Sequence, residues 1–169
     1  MKKYFAAVIC IAAALVFCAC SGSEIVGRSK NEDGQKDGYY YESTAGRIYI
    51  NEEADSVLVR LGEPSGGTYE AVSCAFEGKE IFYYYDGFTI QTYEKNGKKY
   101  IYTINLEDDT VKTAEGIKLG DSLTAVTDKY GMHYALSGDT YAYVKGKMKL
   151  TFIIQNDRVM SIKYWLITD

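Results

Sequence analysis

Apolar residues recur at helical spacing in two short stretches of this chain. The later stretch begins near Asp121, whose carboxylate suits the N-terminal end of a helix, and it stops at Gly131. Its apolar face consists of Leu123, Val126 and Tyr130. The pattern predicts a short amphipathic helix. A helix of this length is marginal alone in water, so we expect it to lie on an apolar surface such as a sheet.

An earlier stretch repeats this pattern. Residues 48–62 align with residues 117–131 at a constant offset of 69 residues (117 − 48). The earlier predicted helix has Asn51 as its N-cap and cannot continue through Pro64. Its apolar stripe consists of Ala54, Val57, Leu58 and Leu61. We expect Val57 and Val126 to occupy equivalent inward positions.

Alternating segments separated by turn residues follow each predicted helix, which is typical of β-hairpins. The turns are Asp86-Gly87, Asn96-Gly97, Lys145-Gly146 and Asn156-Asp157. Because the order of helix and then hairpins occurs twice, the sequence predicts an α+β fold. In this fold a tandem repeat of short helices packs on an antiparallel β-sheet. We expect the first repeat to span residues 38–110 and the second to span residues 111–169.

Two segments of the second repeat resemble a known superfamily. Residues 117–131 combine an aliphatic strand, Gly-Asp-Ser and a short helix that ends in Tyr-Gly, and residues 156–162 read Asn-Asp-Arg-Val-Met-Ser-Ile. This pattern is similar to the superfamily of the β-lactamase inhibitor protein (BLIP) and the BamE (SmpA/OmlA)-like lipoproteins. The resemblance covers roughly residues 46–169 and implies helices packed on an antiparallel sheet. It singles out no function, because the superfamily serves inhibition, outer-membrane assembly and unassigned lipoprotein roles.

The N-terminal segment resembles a bacterial lipoprotein signal peptide. Lys2 and Lys3 precede an apolar run that is too short to span a bilayer comfortably, and the run ends in Ala19-Cys20-Ser21. We therefore predict a signal peptide over residues 1–19 and lipidation of Cys20. Acyl chains such as palmitate would then anchor the protein on the extracytoplasmic face of the cell membrane. A plain secretory signal and an uncleaved anchor helix are the alternatives. The polar residues 20–37 predict a flexible tether.

The net charge narrows the classes of partner, and the cysteine content limits the possible disulfides. Loss of Lys2 and Lys3 with the signal peptide leaves 17 basic residues (19 − 2) against 23 acidic ones, a net charge of −6. This balance argues against nucleic acid as a partner and against attraction to anionic lipid. Beyond Cys20 the mature chain keeps only Cys74, so no intramolecular disulfide can form. We expect Cys74 to be a small buried residue of a strand.

Candidate catalytic and metal-binding residues are few. The single histidine, His133, follows a helix stop without a nucleophilic partner in its sequence neighbourhood. The acidic clusters at residues 52–55 and 107–109 lack the spacing of a calcium loop. The basic residues 95–99 are typical of a solubilising hairpin tip. We predict no catalytic residue, no metal site and no cofactor.

Tyrosine is the unusual residue, with 17 copies in 169 positions. Strand alternation sorts residues 81–102 into an aliphatic face, expected to pack on a helix, and a second face rich in tyrosine. The predicted binding residues on the second face are Tyr84, Gln91, Tyr93, Tyr100 and Tyr102. Ile104 does not fit this sorting. The tyrosines either form a binding surface or simply pack well in half-exposed strands.

These patterns predict a non-enzymatic, membrane-anchored extracytoplasmic lipoprotein. We expect it to bind an envelope or secreted protein, or a peptide, through an aromatic sheet face. The alternative is a structural or assembly role in the cell envelope without a discrete ligand. A small enzyme that uses His133 is a third hypothesis, from a different class.

Overall fold

The computed structural model describes residues 38–76 and 78–168. Within them the chain forms ten strands and two helices. The first elements are β1 (Tyr40–Ser43), β2 (Gly46–Tyr49) and α1 (Ala54–Leu61). Next come β3 (Thr68–Val72), β4 (Lys79–Tyr85), β5 (Phe88–Lys95) and β6 (Lys98–Leu106). The last are α2 (Leu123–Tyr130), β7 (Ala135–Ser137), β8 (Thr140–Lys145), β9 (Met148–Gln155) and β10 (Arg158–Leu166).

Eight of these strands form one antiparallel sheet. Their order is β3-β4-β5-β6-β10-β9-β8-β7, and β1 pairs with β2 in a separate hairpin. β6 and β10 lie at the centre and pair from Thr103 opposite Trp165 to Leu106 opposite Ile162. Strands from the earlier and the later part of the chain are therefore hydrogen-bonded into the same sheet.

The predicted fold class is wrong. Strands account for 49% of the described structure and helices for 12%, so the protein is mainly β rather than an α+β tandem repeat of helices on a sheet. The physical reason lies in the pairing of β6 with β10, which leaves neither strand with an exposed edge of unpaired backbone groups. The helices have eight residues each and cover only part of so wide a sheet.

The hairpin predictions are confirmed. Strands end and restart around the predicted turns, at residues 86–87, 96–97, 146–147 and 156–157, so the third turn is Gly146-Lys147, one residue later than predicted. Asn96 and Gly97 have φ angles of 53° and 72°, and Asn156 and Asp157 have φ angles of 51° and 58°. Two consecutive positive φ angles match the twist of a hairpin with a two-residue loop. Local turn chemistry therefore fixes the connections β5–β6 and β9–β10.

The helices and the β1–β2 hairpin supply apolar residues to a core on one face of the sheet, which we call the inner face. Val57 and Val126 are both fully buried in this core, as their spacing predicts. The inner-face residues with less than 2% exposure include Ile90, Ile101, Ile104, Leu150, Phe152, Ile162 and Tyr164. We call the opposite face the outer face. Within the described ranges, neither helix has the length and apolarity needed to cross a bilayer.

The predicted helix caps need correction. In α2 the Oγ atom of Ser122 accepts a hydrogen bond from the N–H of Ala125 at 3.2 Å, whereas Asp121 accepts from the N–H of Lys118 just before the helix. α1 begins after Glu53 without a side-chain cap. Asn51 turns the chain with a φ of 65° instead of capping. The segments predicted as signal peptide and tether, and the lipidation site Cys20, lie outside the described residues.

Candidate binding surface

The strand register places the predicted binding residues on the outer face. In β4 and β5, Tyr84 pairs with Thr89 and Phe82 with Gln91. Tyr93 pairs with Tyr100 of β6. Because opposite residues of an antiparallel pair point to the same side, the structure brings Tyr84, Gln91, Tyr93, Tyr100 and Tyr102 to one surface.

A β-bulge in β6 explains why Ile104 did not fit the alternation. Thr92 pairs with Ile101, and Gln91 pairs with Thr103, so Tyr102 is the extra residue of the bulge. The bulge leaves Ile101 and Ile104 both on the inner face, where each is fully buried. It also turns Tyr102 to the outer face, beside Tyr93, at a ring-centroid distance of 6.1 Å.

The loop between β3 and β4 covers part of this surface. Phe76 from this loop stacks on Tyr93 at a centroid distance of 4.2 Å and meets Tyr102 edge-on at 4.8 Å. Tyr93 is only 4% exposed as a result. Tyr93 is therefore a buried support of the outer face rather than a freely exposed contact residue, and sequence reasoning missed Phe76.

A hydrogen bond fixes the Tyr93 ring in place. Its hydroxyl donates to the Oδ1 atom of Asn51, which lies just after β2. Burial raises the pKa of the Tyr93 phenol, and neighbouring Tyr100 raises it further. The phenol therefore stays protonated near neutral pH and remains a donor to Asn51. Burial, together with the charge of Glu80, also raises the pKa of Tyr102.

A chain of polar side chains crosses the outer face from the loop before β4 to β6. The Ser73 hydroxyl donates to Glu80 at 2.6 Å, and the Gln91 amide donates to Glu80 at 2.7 Å. The Gln91 carbonyl accepts from the Thr103 hydroxyl at 3.1 Å. Both ends of the Gln91 side chain are thus engaged within the protein. Gln91 therefore orders the surface, and its role as a direct contact stays a prediction.

The exposed aromatic area lies toward the β3 edge. Tyr69 is 59% exposed and packs on Phe82 at a centroid distance of 6.1 Å, and Tyr84 is 37% exposed. Tyr100 and Tyr102 are half-buried. We call Tyr69, Phe82, Tyr84, Tyr100 and Tyr102 the tyrosine half of the outer face. A cleft of about 470 Å³ opens at the end of this half, lined in part by Phe76, Tyr93, Leu166 and Ile167.

The other half of the outer face was not predicted from the sequence. Lys163 and Trp165 of β10 lie there, and Lys149 of β9 is opposite Trp165. The signal that would have found them is the alternation in residues 161–165. Ile162 and Tyr164 are buried on the inner face, so Lys163 and Trp165 must point outward.

The acidic cluster at residues 52–55 pairs with the basic hairpin tip at residues 95–99. Lys98 contacts Glu53 at 2.9 Å, and Lys99 contacts Asp55 at 3.2 Å. These side chains are partly exposed, so each pair contributes little to stability. The pairing nevertheless shows that the basic hairpin tip is not simply a solubilising turn.

The remaining candidate residues are exposed. His133 is exposed in the connection between α2 and β7. Cys74 is an exposed residue of the loop after β3, and the prediction of a buried strand residue is wrong. Among the described residues no group of three or more His, Cys, Asp or Glu side chains is placed to hold a metal ion.

Comparison with known proteins adds no assignment to this surface. No family model, curated protein or solved structure matches the chain. The resemblance to the BLIP and BamE-like superfamily stays a prediction. The functional argument therefore depends on the geometry of the outer face.

Proposed function

We propose that this protein is a membrane-anchored, extracytoplasmic and non-enzymatic module that binds a protein or peptide partner on the outer face of its sheet. The observation that carries the proposal is the tyrosine half. Its aromatic rings lie on the face opposite the core, and Tyr69 and Tyr84 keep 59% and 37% of their surface exposed. Large exposed apolar groups of this kind are enriched where proteins bind one another.

The support beneath these rings favours binding without a large ordering cost. Tyr93 is held by its stacking on Phe76 and by its hydrogen bond to Asn51. Gln91 is held at both ends by Glu80 and Thr103. Side chains that are already ordered lose little conformational entropy when a partner docks, so more of the contact energy appears as affinity.

The cleft beside Tyr93 adds a site for an anchoring side chain. Its volume of about 470 Å³ exceeds that of a single aromatic side chain. The rings of Phe76 and Tyr93 form part of its wall, beside the polar and charged residues of the β5–β6 turn. A partner segment that crosses the tyrosine half would insert one apolar side chain there, as anchor residues do at other interfaces.

Photo-crosslinking in intact cells tests this proposal. A photoreactive phenylalanine analogue replaces Tyr84 in one variant and Val59 in a matched control, because Val59 is 82% exposed on α1. We expect a discrete heavier adduct from position 84 and none from position 59. Equal adducts at both positions, or none at position 84, would contradict binding and favour a structural role in the envelope.

The captured partner then allows affinity to be measured. We expect Tyr84→Ala to weaken binding by roughly 30-fold, which corresponds to about 2 kcal/mol for an aromatic anchor. Val59→Ala provides the control and should leave the affinity unchanged. An unchanged affinity in Tyr84→Ala would remove the tyrosine half from the interface.

The membrane anchor is tested separately through Cys20. We expect the parent protein to partition into the detergent phase and Cys20→Ala to move into the aqueous phase, because the substitution removes the thiol that would carry the lipid. Cys74→Ala is the matched control and should still partition with detergent. Detergent-phase recovery of Cys20→Ala would show that another segment holds the protein at the membrane.

A further inference from the structure

Trp165 lies on the outer face between two lysines. Lys163 precedes it by two residues in β10, and Lys149 lies opposite it in β9. The Nζ atom of Lys149 is 4.2 Å from the centroid of the indole ring, and the Nζ atom of Lys163 is 5.6 Å from it. We call Lys149, Lys163 and Trp165 the lysine-tryptophan patch.

The two ammonium groups of the patch have no carboxylate partner in the described part of the chain. The ion pairs there engage six basic residues elsewhere in the fold, namely Arg47, Arg60, Lys79, Lys98, Lys99 and Lys118. Of the glutamates in the strands of the large sheet, only Glu80 points outward, and Ser73 and Gln91 hold it. The Glu107 carboxylate, just after β6, accepts a hydrogen bond from Asn105, which lies opposite Lys163, but it forms no ion pair with either lysine of the patch. The patch is therefore positive on a chain whose formal net charge is −4.

The indole of Trp165 adds a third unmet donor. Its N–H is shielded from solvent and has no hydrogen-bond acceptor among the described residues. An unpaired buried donor costs free energy. A bound acceptor group that reached this N–H would reduce that cost.

The patch is continuous with the tyrosine half. Thr103 of β6 lies opposite Trp165 of β10 on one side and opposite Gln91 of β5 on the other. Tyr102 directly precedes Thr103 in β6. A partner segment that contacts Tyr102 can therefore also reach Trp165 in the neighbouring strand β10. One partner can contact both halves of the outer face at once.

We propose that the lysine-tryptophan patch binds the carboxylate side chains of an acidic segment in an extracytoplasmic protein partner. This inference rests on the proposed function and deepens it. The tyrosine half supplies contact area, and the patch selects the partner by charge. An anionic lipid surface is disfavoured, because so wide a surface faces the charge of the whole acidic chain, whereas a single segment contacts only the outer face.

The single tryptophan of the chain makes this proposal directly measurable. The full processed protein, held in neutral-lipid nanodiscs, is used to select peptides from a phage-displayed library that lacks tryptophan. We expect the selected peptides to be enriched in Asp and Glu and to change the emission of Trp165. Replacing their acidic residues by Asn and Gln should weaken binding by about tenfold, and added salt should weaken the acidic peptides selectively.

The double variant Lys149→Gln/Lys163→Gln should also bind the acidic peptides about tenfold more weakly. The arginine pair Lys149→Arg/Lys163→Arg keeps the charge and should restore binding, which separates charge recognition from folding. Lys112→Gln/Lys129→Gln removes two exposed positive charges elsewhere and should bind normally. Thermal melts of all three variants provide the check on folding.

Other outcomes would overturn the proposal in distinguishable ways. Selected peptides without acidic enrichment that still depend on Tyr84 would remove the patch and leave the proposed function standing. If no peptide is selected, the result contradicts both the acidic-segment proposal and the proposed binding function. If Lys149→Gln/Lys163→Gln loses binding to phosphatidylcholine–phosphatidylglycerol vesicles, the patch binds lipid phosphate instead. If the same variant loses self-association, the patch binds a second copy of this chain.

Discussion

Tyr93→Ala is expected to lower the free energy of unfolding by about 3–5 kcal/mol, the range for deletion of a large buried ring. Tyr93 is 4% exposed, stacks on Phe76 and donates to Asn51, so its loss leaves both a cavity and an unpaired acceptor. Chemical denaturation followed by circular dichroism measures the change. Tyr93→Phe removes the hydrogen bond alone and should cost about 1 kcal/mol.

Tyr69→Ala is the matched control. Tyr69 is on the same outer face but 59% exposed, so its removal should change stability by about 0.5 kcal/mol. Similar losses in Tyr69→Ala and Tyr93→Ala would contradict the division between an exposed tyrosine half and a buried support. A near-zero change in Tyr93→Ala would mean that Phe76 does not cover the ring in solution.

Phe152→Ala is expected to be equally costly, at about 3–5 kcal/mol, although it lies in the later part of the chain. Phe152 has no exposed surface and contacts Tyr130 of α2 and Tyr143 of β8 at centroid distances of 5.2 Å and 6.0 Å. Its neighbour Ile153 points to the outer face, so Ile153→Ala should cost much less. Denaturation of the two variants side by side tests the assignment of faces in β9.

The two costly substitutions also test whether the sheet is one cooperative unit. Trp165 in β10 reports on the centre of the sheet, while Tyr93 lies in β5. Because β6 and β10 are hydrogen-bonded, we expect Tyr93→Ala to shift the Trp165 fluorescence transition together with the circular dichroism transition. Two separate transitions would mean that the earlier and later strands unfold independently.

Much of the local structure was predictable because it depends on neighbouring residues. The spacing of Val57 and Val126 identified two helices with buried faces, and Asn96-Gly97 identified a hairpin whose loop requires positive φ angles. The faces of β5 followed from strict alternation. Ile104 marked the position where alternation failed, and the structure explains it through the bulge at Tyr102. Such signals involve residues a few positions apart.

Long-range contacts were not predictable in the same way. Nothing near Leu106 indicates that it lies opposite Ile162, since backbone hydrogen bonds between strands carry little sequence information. The class of the fold was therefore wrong even where most of the elements were right. The candidate site shows the same division: the alternation identified the tyrosines, whereas the covering of Tyr93 by Phe76 depends on a loop from another strand connection.

The sequence by itself determined the two helices, the four predicted hairpins and the sides of β4 and β5 that face the core, because short-range periodicity and turn chemistry control them. Tertiary structure alone decided that eight strands form one sheet, that Tyr93 is buried while Tyr84 is exposed, and that Lys149 and Lys163 flank Trp165. Those outcomes depend on which distant segments pack together. That choice is made by the burial and hydrogen bonding of the whole chain, not by any one stretch of it.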